Sequence, residues 1–344
     1  MDPRAAMSAA SGTIMARPSE DDIIANIFAP MAGQAGLGLA DDAACLTPPA
    51  GHDLVLTSDT ISAGVHFFAD DPPAAIASKA LRVNLSDLAA KAAAPLGFLL
   101  NLALPEDWTP SWLEAFAAGL AEDARAYGAP LIGGDTVKIL GPLTVSITAF
   151  GAVPQARMVP RAGAQPGDRL YVTGTIGDAA LGLLLRRPGE GPKWAQSLSA
   201  KARDFLVERY LRPQPRSALR EALRAHAHAA MDISDGFAGD LAKMLRLTSV
   251  TAKLSLADIP LSAAAREALA IAPDLAATIV SGGDDYEILA AVPAREAVDF
   301  EAKAAAAGVM VKEIGVVGQG TGGPVILDAA GTALPLARGS YQHF

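Results

Sequence analysis

Residues 71–93 read DPPAAIASKALRVNLSDLAAKAA, and most of the architecture can be worked out from this stretch. Asp71, Pro72 and Pro73 form a helix-start signal, because proline suits the first helical turn, where no amide partner is needed. Leu81, Leu85 and Leu88 follow at helical spacing and make one apolar stripe. Asn84, Asp87 and Lys91 fall on a neighbouring face. The stretch is therefore expected to be a packed helix that holds Asp87 out of the core and toward a site.

Working outward, DLVLTSDT reads as a strand ending in a polar turn. TPSWLEAFAAGLAEDARAYG reads as a second helix, capped by Thr109, opened by Pro110 and stopped by Gly128. PLIGGDT reads as a short strand running into a glycine loop, and GPLTVSITAFGAVP as a long β-branched strand. VPQARMVPRAGAQPGD, rich in proline, glycine and arginine, marks a boundary. Beyond it come the strand and turn RLYVTGTIG, helices near 200–211 and 216–228, the strand and acidic turn AAMDISDG, and the helix FAGDLAKMLRL. The glycine turn and strand SGGDDYEILAAVP and the closing strands VKEIGVVG and PVILDAAG complete the chain. The expected organisation is a mobile tail over 1–20, one domain over 21–158 and a second over 159–344.

Four acidic signatures lie beside these strands: Asp41-Asp42 in LADDAA, Asp59 in LTSDT, Asp135 in LIGGDT, and Asp232 with Asp235 in MDISDG. Carboxylates gathered at strand ends repel one another unless cations neutralise them. Hard oxygen donors of this kind suit Mg²⁺, which keeps several waters and binds phosphates through a few carboxylates. Thr57 and Ser58 add hydroxyl donors beside Asp59. Gly133 and Gly134 would let backbone amides approach a phosphate. Each signature alone is equally a turn or a helix cap. Together they point to an enzyme that handles polyphosphate, its aspartates converging from distant segments. His66 and Arg161 read as surface or packed residues, or more sharply as a ligand contact and a phosphate clamp. GQGTGG, starting at Gly318, precedes a strand rather than a helix, so a dinucleotide fingerprint fails in context. The chain contains no P-loop and no protein-kinase catalytic loop.

Composition narrows the class further. The 344 residues suggest two domains. Hydrophobic content of 51% with only 5% aromatic means that Ala, Leu and Val do the packing, which favours α/β or α+β structure over an all-β sandwich. A net charge of −9 argues against a nucleic-acid binder and against a polybasic membrane surface. The single Cys45 excludes an internal disulfide framework and fits a reducing cytoplasm. The five histidines lack zinc spacing. The first 20 residues have no continuous apolar core of a signal peptide, and the apolar run over 92–104 is too short to span a bilayer.

From Asp41 onward the chain resembles the thiamine-monophosphate kinase family. That family belongs with aminoimidazole-ribonucleotide synthetase, selenophosphate synthetase and a hydrogenase-maturation ATPase. The segments that carry the resemblance are DDAA, TSDTISAGVHF, KALRVNLSDLAA, LIGGDT, LRPQPR, MDISDG, SGGDDYEIL and GSYQHF. The resemblance implies an α/β (α+β) fold of the two-domain aminoimidazole-ribonucleotide synthetase type. Its N-terminal sheet would pair across a homodimer, with ATP near that interface and a C-terminal α/β domain over the site. The implied reaction is ATP plus thiamine monophosphate giving ADP plus thiamine diphosphate, with several Mg²⁺ ions. Asp42, Thr57, Ser58, Asp59, Asp87, Asp135, Asp232 and Asp235 match metal positions, with Asp59, Asp87 and Asp135 at the chemistry. Gly134, Asp135, Arg161 and Ser234 match ATP contacts; His66, Asp284 and Tyr341 match contacts to thiamine phosphate. This chain departs from the family pattern at Ala40 (usually Gly), Asp284 (usually Glu) and Lys91-Ala92 (often Met-Gly). The rival readings are another ATP-dependent enzyme of the superfamily, of the aminoimidazole-ribonucleotide synthetase or selenophosphate synthetase type, and a nucleotide-binding maturation protein. The absence of a C-terminal cysteine tail counts against the last.

Overall fold

Apolar residues that alternate along one set of strands and run unbroken along another produce two differently covered sheets. The computed structural model describes residues 17–189, 191–328 and 330–336. Most of the expected N-terminal tail, and Tyr341, lie outside them. Ser19 caps a short helix that begins at Glu20.

The first domain holds β1 (His52–Ser62), β2 (Ala94–Leu104), β3 (Leu131–Lys138) and β4 (Thr144–Pro154), in the spatial order β1-β4-β2-β3. β4 runs antiparallel to β1 and β2, while β3 runs parallel to β2. The helices Pro73–Ala90 and Pro110–Tyr127 cover one face. Val55, Ile61, Leu100, Leu102, Val145 and Ile147 point into that layer and meet Leu81, Leu85, Phe116 and Leu120. The alternate residues of β1, β2 and β4 face outward. They include the exposed Leu54 and Leu56 and a row of paired hydroxyls: Ser58 with Thr148 at 2.9 Å, Thr60 with Ser146 at 2.9 Å and Ser62 with Thr144 at 3.0 Å.

The second domain holds β5 (Arg169–Thr173), β6 (Ala229–Asp232), β7 (Val250–Ser255), β8 (Ile288–Val292), β9 (Val311–Gln319) and β10 (Val325–Leu327). Their order is β10-β7-β9-β5-β8-β6, antiparallel except for β10 with β7. Helices cover both faces of the central strands, so these strands carry almost no polar residues. Leu170, Val172, Leu289 and Ala291 pack with Leu206, Leu241 and Ile279 on one side. Tyr171, Ile288, Ala290 and Val292 pack with Leu223 and Phe300 on the other, where Ala89, Ala90 and Ala92 from the first domain join them. The Pro73–Ala90 helix thus belongs to two cores.

Thr109 caps its helix by accepting the amide of Trp112, and Gly128 ends it in the left-handed conformation, both as the sequence implies. PLIGGDT departs from expectation. Its glycines do not form a loop; they lie inside β3, which continues to Lys138. The cause is a close approach between neighbouring strands: a Cβ on Gly134 would stand 1.8 Å from the carbonyl oxygen of Leu100, at a φ of +151°. Among the described residues no helix is long and apolar enough to cross a membrane. Replacing Gly134 with Ala should therefore push β3 off β2 and cost on the order of 3 kcal/mol, read as a lower urea midpoint.

Candidate active site

Successive residues of a strand point to opposite sides, and this divides the acidic signatures. Thr57 and Asp59 face the helix layer, while Ser58 between them faces outward. On the helix side, Thr57 Oγ1 donates to Asp87 Oδ2 at 2.5 Å. The amide of Asp59 donates to Asn84 Oδ1 at 3.1 Å, and Asn84 Nδ2 donates back to the carbonyl of Ala80 at 3.0 Å. Asn84 is fully buried, and this bond fixes the end of β1 to the helix.

The second domain closes over the same region. Asp232 ends β6 and is buried. Ser234 and Asp235 form the turn that follows, and Gly236 lets it pass within contact of Ser281. The SGGDDYE loop hangs from this turn. The amides of Asp284 and Tyr286 donate to the carbonyls of Ser234 and Ile233, both at 2.8 Å. Asp284 and Tyr286 take φ values of +71° and +50°, a conformation costly for side-chain-bearing residues and often found at functional sites. Next to it, Asp285 accepts the amide of Gly177 through both oxygens at 2.9 Å, securing the loop from beneath.

The electrostatics are those of crowded acids. Burial, and then the charges of Asp87 and Asp235, push the Asp59 carboxyl up to about 6. Burial, followed by the charge of Asp87, raises Asp232 well above the usual carboxylate range. Lys91 reaches into this region and donates to the carbonyl of Ala230 at 2.7 Å. Burial, reinforced by Arg161, lowers its ammonium to about 8, with Asp232 and Asp87 pulling the other way. Arg161 itself is exposed.

Beside the acids lies a cluster centred on a lysine. Lys79 is almost fully buried; it donates to Asp284 Oδ2 at 3.0 Å and to the backbone oxygen of His66 at 2.9 Å. Its ammonium also stands 3.8 Å from the Tyr210 ring centroid. His66 Nδ1 accepts the amide of Ser62 at 3.1 Å. His66 and Asp284, far apart in sequence, are thus bound to one lysine.

The remaining expected residues lie elsewhere. Asp42, Gly134 and Asp135 line a pocket of about 660 Å³ with Leu99, Asn101 and Phe150. Asn101 pairs with Asp135 and Ser146, so this pocket opens on the outer face of the first sheet. Asp135 is three strands from Asp59, about 14 Å across the sheet, and on the opposite side. Within one chain, then, Thr57, Asp59, Asp87, Asp232 and Asp235 form one group, and Asp42 and Asp135, with Ser58 on the same outer face, form another. Tyr341 lies outside the described residues.

Among the described residues no three His, Cys, Asp or Glu side chains already enclose a cation site. The helix-side donors nevertheless fit Mg²⁺, which needs only one or two carboxylates when phosphates and waters complete its shell. The carboxyls of Asp59 and Asp232, raised by burial and like charge, are what such a cation would relieve.

Several contributors were not assigned a role from sequence. Lys79 meets its partners 13 and 205 positions away, so no local pattern announces it. Asn84 was placed on the polar face but its bond to Asp59 was not foreseen. Lys243 could have been found from its spacing three residues after Asp240.

A sequence model described as AIR synthase related protein, N-terminal domain, matches residues 40–153, and its C-terminal counterpart matches 165–328. The chain therefore belongs to the AIR synthase related family. It is 43% identical over 318 residues to the thiamine-monophosphate kinase of Caulobacter vibrioides, covering 91% of this chain and 88% of that one. The crystal structure of thiamine-monophosphate kinase from Stenotrophomonas maltophilia K279a superposes with a TM-score of 0.76 at 38% identity, covering 86% and 91% of the two chains. A structure described as AaThiL complexed with AMPPCP and TMP superposes at 0.71 with 29% identity, covering 88% and 91%. Within the family, this chain groups with the thiamine-monophosphate kinases.

Because Asp59 ionises at about 6 rather than 3.8 in the metal-free fold, its charge costs stability as pH rises through that window. Asp59→Asn should therefore raise the melting temperature of EDTA-treated protein by on the order of 3 °C at about pH 7.5, and by only about a third as much near pH 4.5. Differential scanning calorimetry at the two pH values checks this.

Proposed function

We propose that this protein transfers the γ-phosphoryl group of ATP to thiamine monophosphate, giving ADP and thiamine diphosphate, in the cytoplasm and as a homodimer. The observation that carries this reading is the closing of the SGGDDYE loop over the helix-side aspartates, in a chain 43% identical to a thiamine-monophosphate kinase. A relative of the same fold whose structure is described as complexed with AMPPCP and TMP supports the pair of substrates.

The chemistry follows from charge. The acceptor is a phosphate monoester whose second pKa is ~6, so it is mostly dianionic at neutral pH and needs no strong general base. The difficulty is bringing it to an ATP polyanion. Bound Mg²⁺ would screen that repulsion and align in-line transfer. Thr57, Asp59, Asp87, Asp232 and Asp235 would hold the cations on the helix side. Lys91 and Arg161 set positive charge beside the nucleotide phosphates, and Ser234 contacts them from the turn. His66 and Asp284, fixed through Lys79, orient the acceptor. Transfer is direct, with no phospho-enzyme.

Asp42, Ser58, Gly134 and Asp135 enter this reading through the second subunit. Among the described residues, their outer face, with Leu54, Leu56 and Phe150 beside them, is covered by neither the Pro73–Ala90 nor the Pro110–Tyr127 helix. Pairing this face with its copy brings Asp42 and Asp135 of one subunit to the ATP held by the other and makes a shared site.

Purified protein should form thiamine diphosphate from thiamine monophosphate and ATP only with Mg²⁺, and chromatographic detection of the product checks it. Asp59→Asn and Asp135→Asn should each lower kcat by on the order of 10³ while leaving the fold intact by circular dichroism. Co-refolding the two inactive variants in equal amounts should restore about a quarter of wild-type activity, because half of the dimers would be mixed and each would keep one intact site. No recovery would remove the shared-site part of the proposal, and turnover of a different acceptor would remove the substrate.

A further inference from the structure

Asp235 does not stand free in this structure. Its carboxylate accepts a hydrogen bond from Lys243, which also donates to Asp240 Oδ1 at 2.8 Å. Asp240 in turn accepts the amide of Asp235 through its other oxygen at 2.9 Å. The three residues close a small ring at the start of the Phe237–Arg246 helix, just beyond the acidic turn.

The members of this ring differ in freedom. Asp240 is fully buried, and both of its oxygens are engaged inside the ring. The side chains of Lys243 and Asp235 retain 30% and 38% of their exposure. An ammonium has three donors, so Lys243 can release one acceptor and keep another. Releasing Asp240 would leave a buried carboxylate uncompensated, which is costly. Releasing Asp235 leaves that carboxylate at the edge of the acidic site, with its backbone still tied to Asp240.

Lys91 makes a useful contrast. Its ammonium is bonded to a backbone carbonyl rather than to a carboxylate, so a cation arriving among the aspartates competes with no ion pair there. Among the described residues, only at Asp235 does the structure show an expected metal ligand already held by a lysine of the same chain.

We propose that Lys243 is a hand-over cation: it holds the Asp235 carboxylate in the metal-free protein and yields it to the incoming divalent cation while remaining on Asp240. The proposal rests on the reading of Asp235 as a metal ligand. Lys243 accordingly has two effects. It stabilises the empty site by neutralising a crowded charge, and it weakens metal binding by competing for the same oxygens. Lys243 is a positioning residue and does not touch the reacting atoms.

The test is calorimetric titration of Mg²⁺ into the full-length protein with a saturating non-hydrolysable ATP analogue, combined with melting temperatures in EDTA. Lys243→Met should bind Mg²⁺ about threefold to tenfold more tightly than wild type, because an ion pair at a half-exposed site no longer has to be broken. Its metal-free form should melt lower, and Lys243→Arg, which keeps the charge, should restore both properties toward wild type. Asp235→Asn should weaken Mg²⁺ binding. If Asp235→Asn weakens binding but Lys243→Met leaves it unchanged or also weakens it, the hand-over is overturned and the metal assignment stands. If Asp235→Asn leaves Mg²⁺ binding unchanged, the metal assignment fails and takes the hand-over with it.

Discussion

The Pro73–Ala90 helix has almost no face turned to water, and this constraint organises the molecule. Its apolar side chains serve the first domain's core, and the alanines at and just beyond its C-terminal end serve the second domain's. A helix buried on all sides needs partners for the polar side chains it carries, and several of them find one. Lys79 does so through Asp284 and His66, Asn84 through Asp59 and Ala80, and Asp87 through Thr57. Apart from the bond from Asn84 to Ala80, which stays within the helix, each of these goes to a segment that the functional reading also needs. Packing and site assembly are therefore one problem with one solution.

The joint between the domains is reinforced by ions as well as by apolar contact. Arg82 grips Asp123 through two nitrogens and reaches the carbonyl of Pro213 with a third. Arg186 crosses from the second domain to Asp71 at the start of the long helix. With Lys79 and Asp284, these links tie the two halves together through polar contacts. Fully paired and largely desolvated contacts of this kind set orientation more than they add stability.

Much of this was readable from the chain. The stripe of Leu81, Leu85 and Leu88 specifies the helix, and Thr109 and Gly128 bracket its neighbour, because local rules suffice there. The glycines of LIGGDT suggest a loop in sequence, yet they lie in a strand, because the neighbouring strand, through the Leu100 carbonyl, requires Gly134 to lack a side chain. TSDT was read as a single donor cluster. Adjacency in sequence is opposition in a strand, so Ser58 and Asp59 serve different faces. The acidic signatures stand out in the sequence, but nothing in it tells which side of the sheet each occupies, since that depends on register rather than composition. Lys79 was invisible for the plainer reason that its partner Asp284 lies in the other domain.

The row of hydroxyls along β1 and β4 has a consequence of its own. Ser58 with Thr148, Thr60 with Ser146 and Ser62 with Thr144 already spend hydrogen-bonding capacity on one another. Whatever lies against this strip has fewer unpaired hydroxyls to strip of water, while the exposed Leu54 and Leu56 on the same face of β1 supply apolar area to bury.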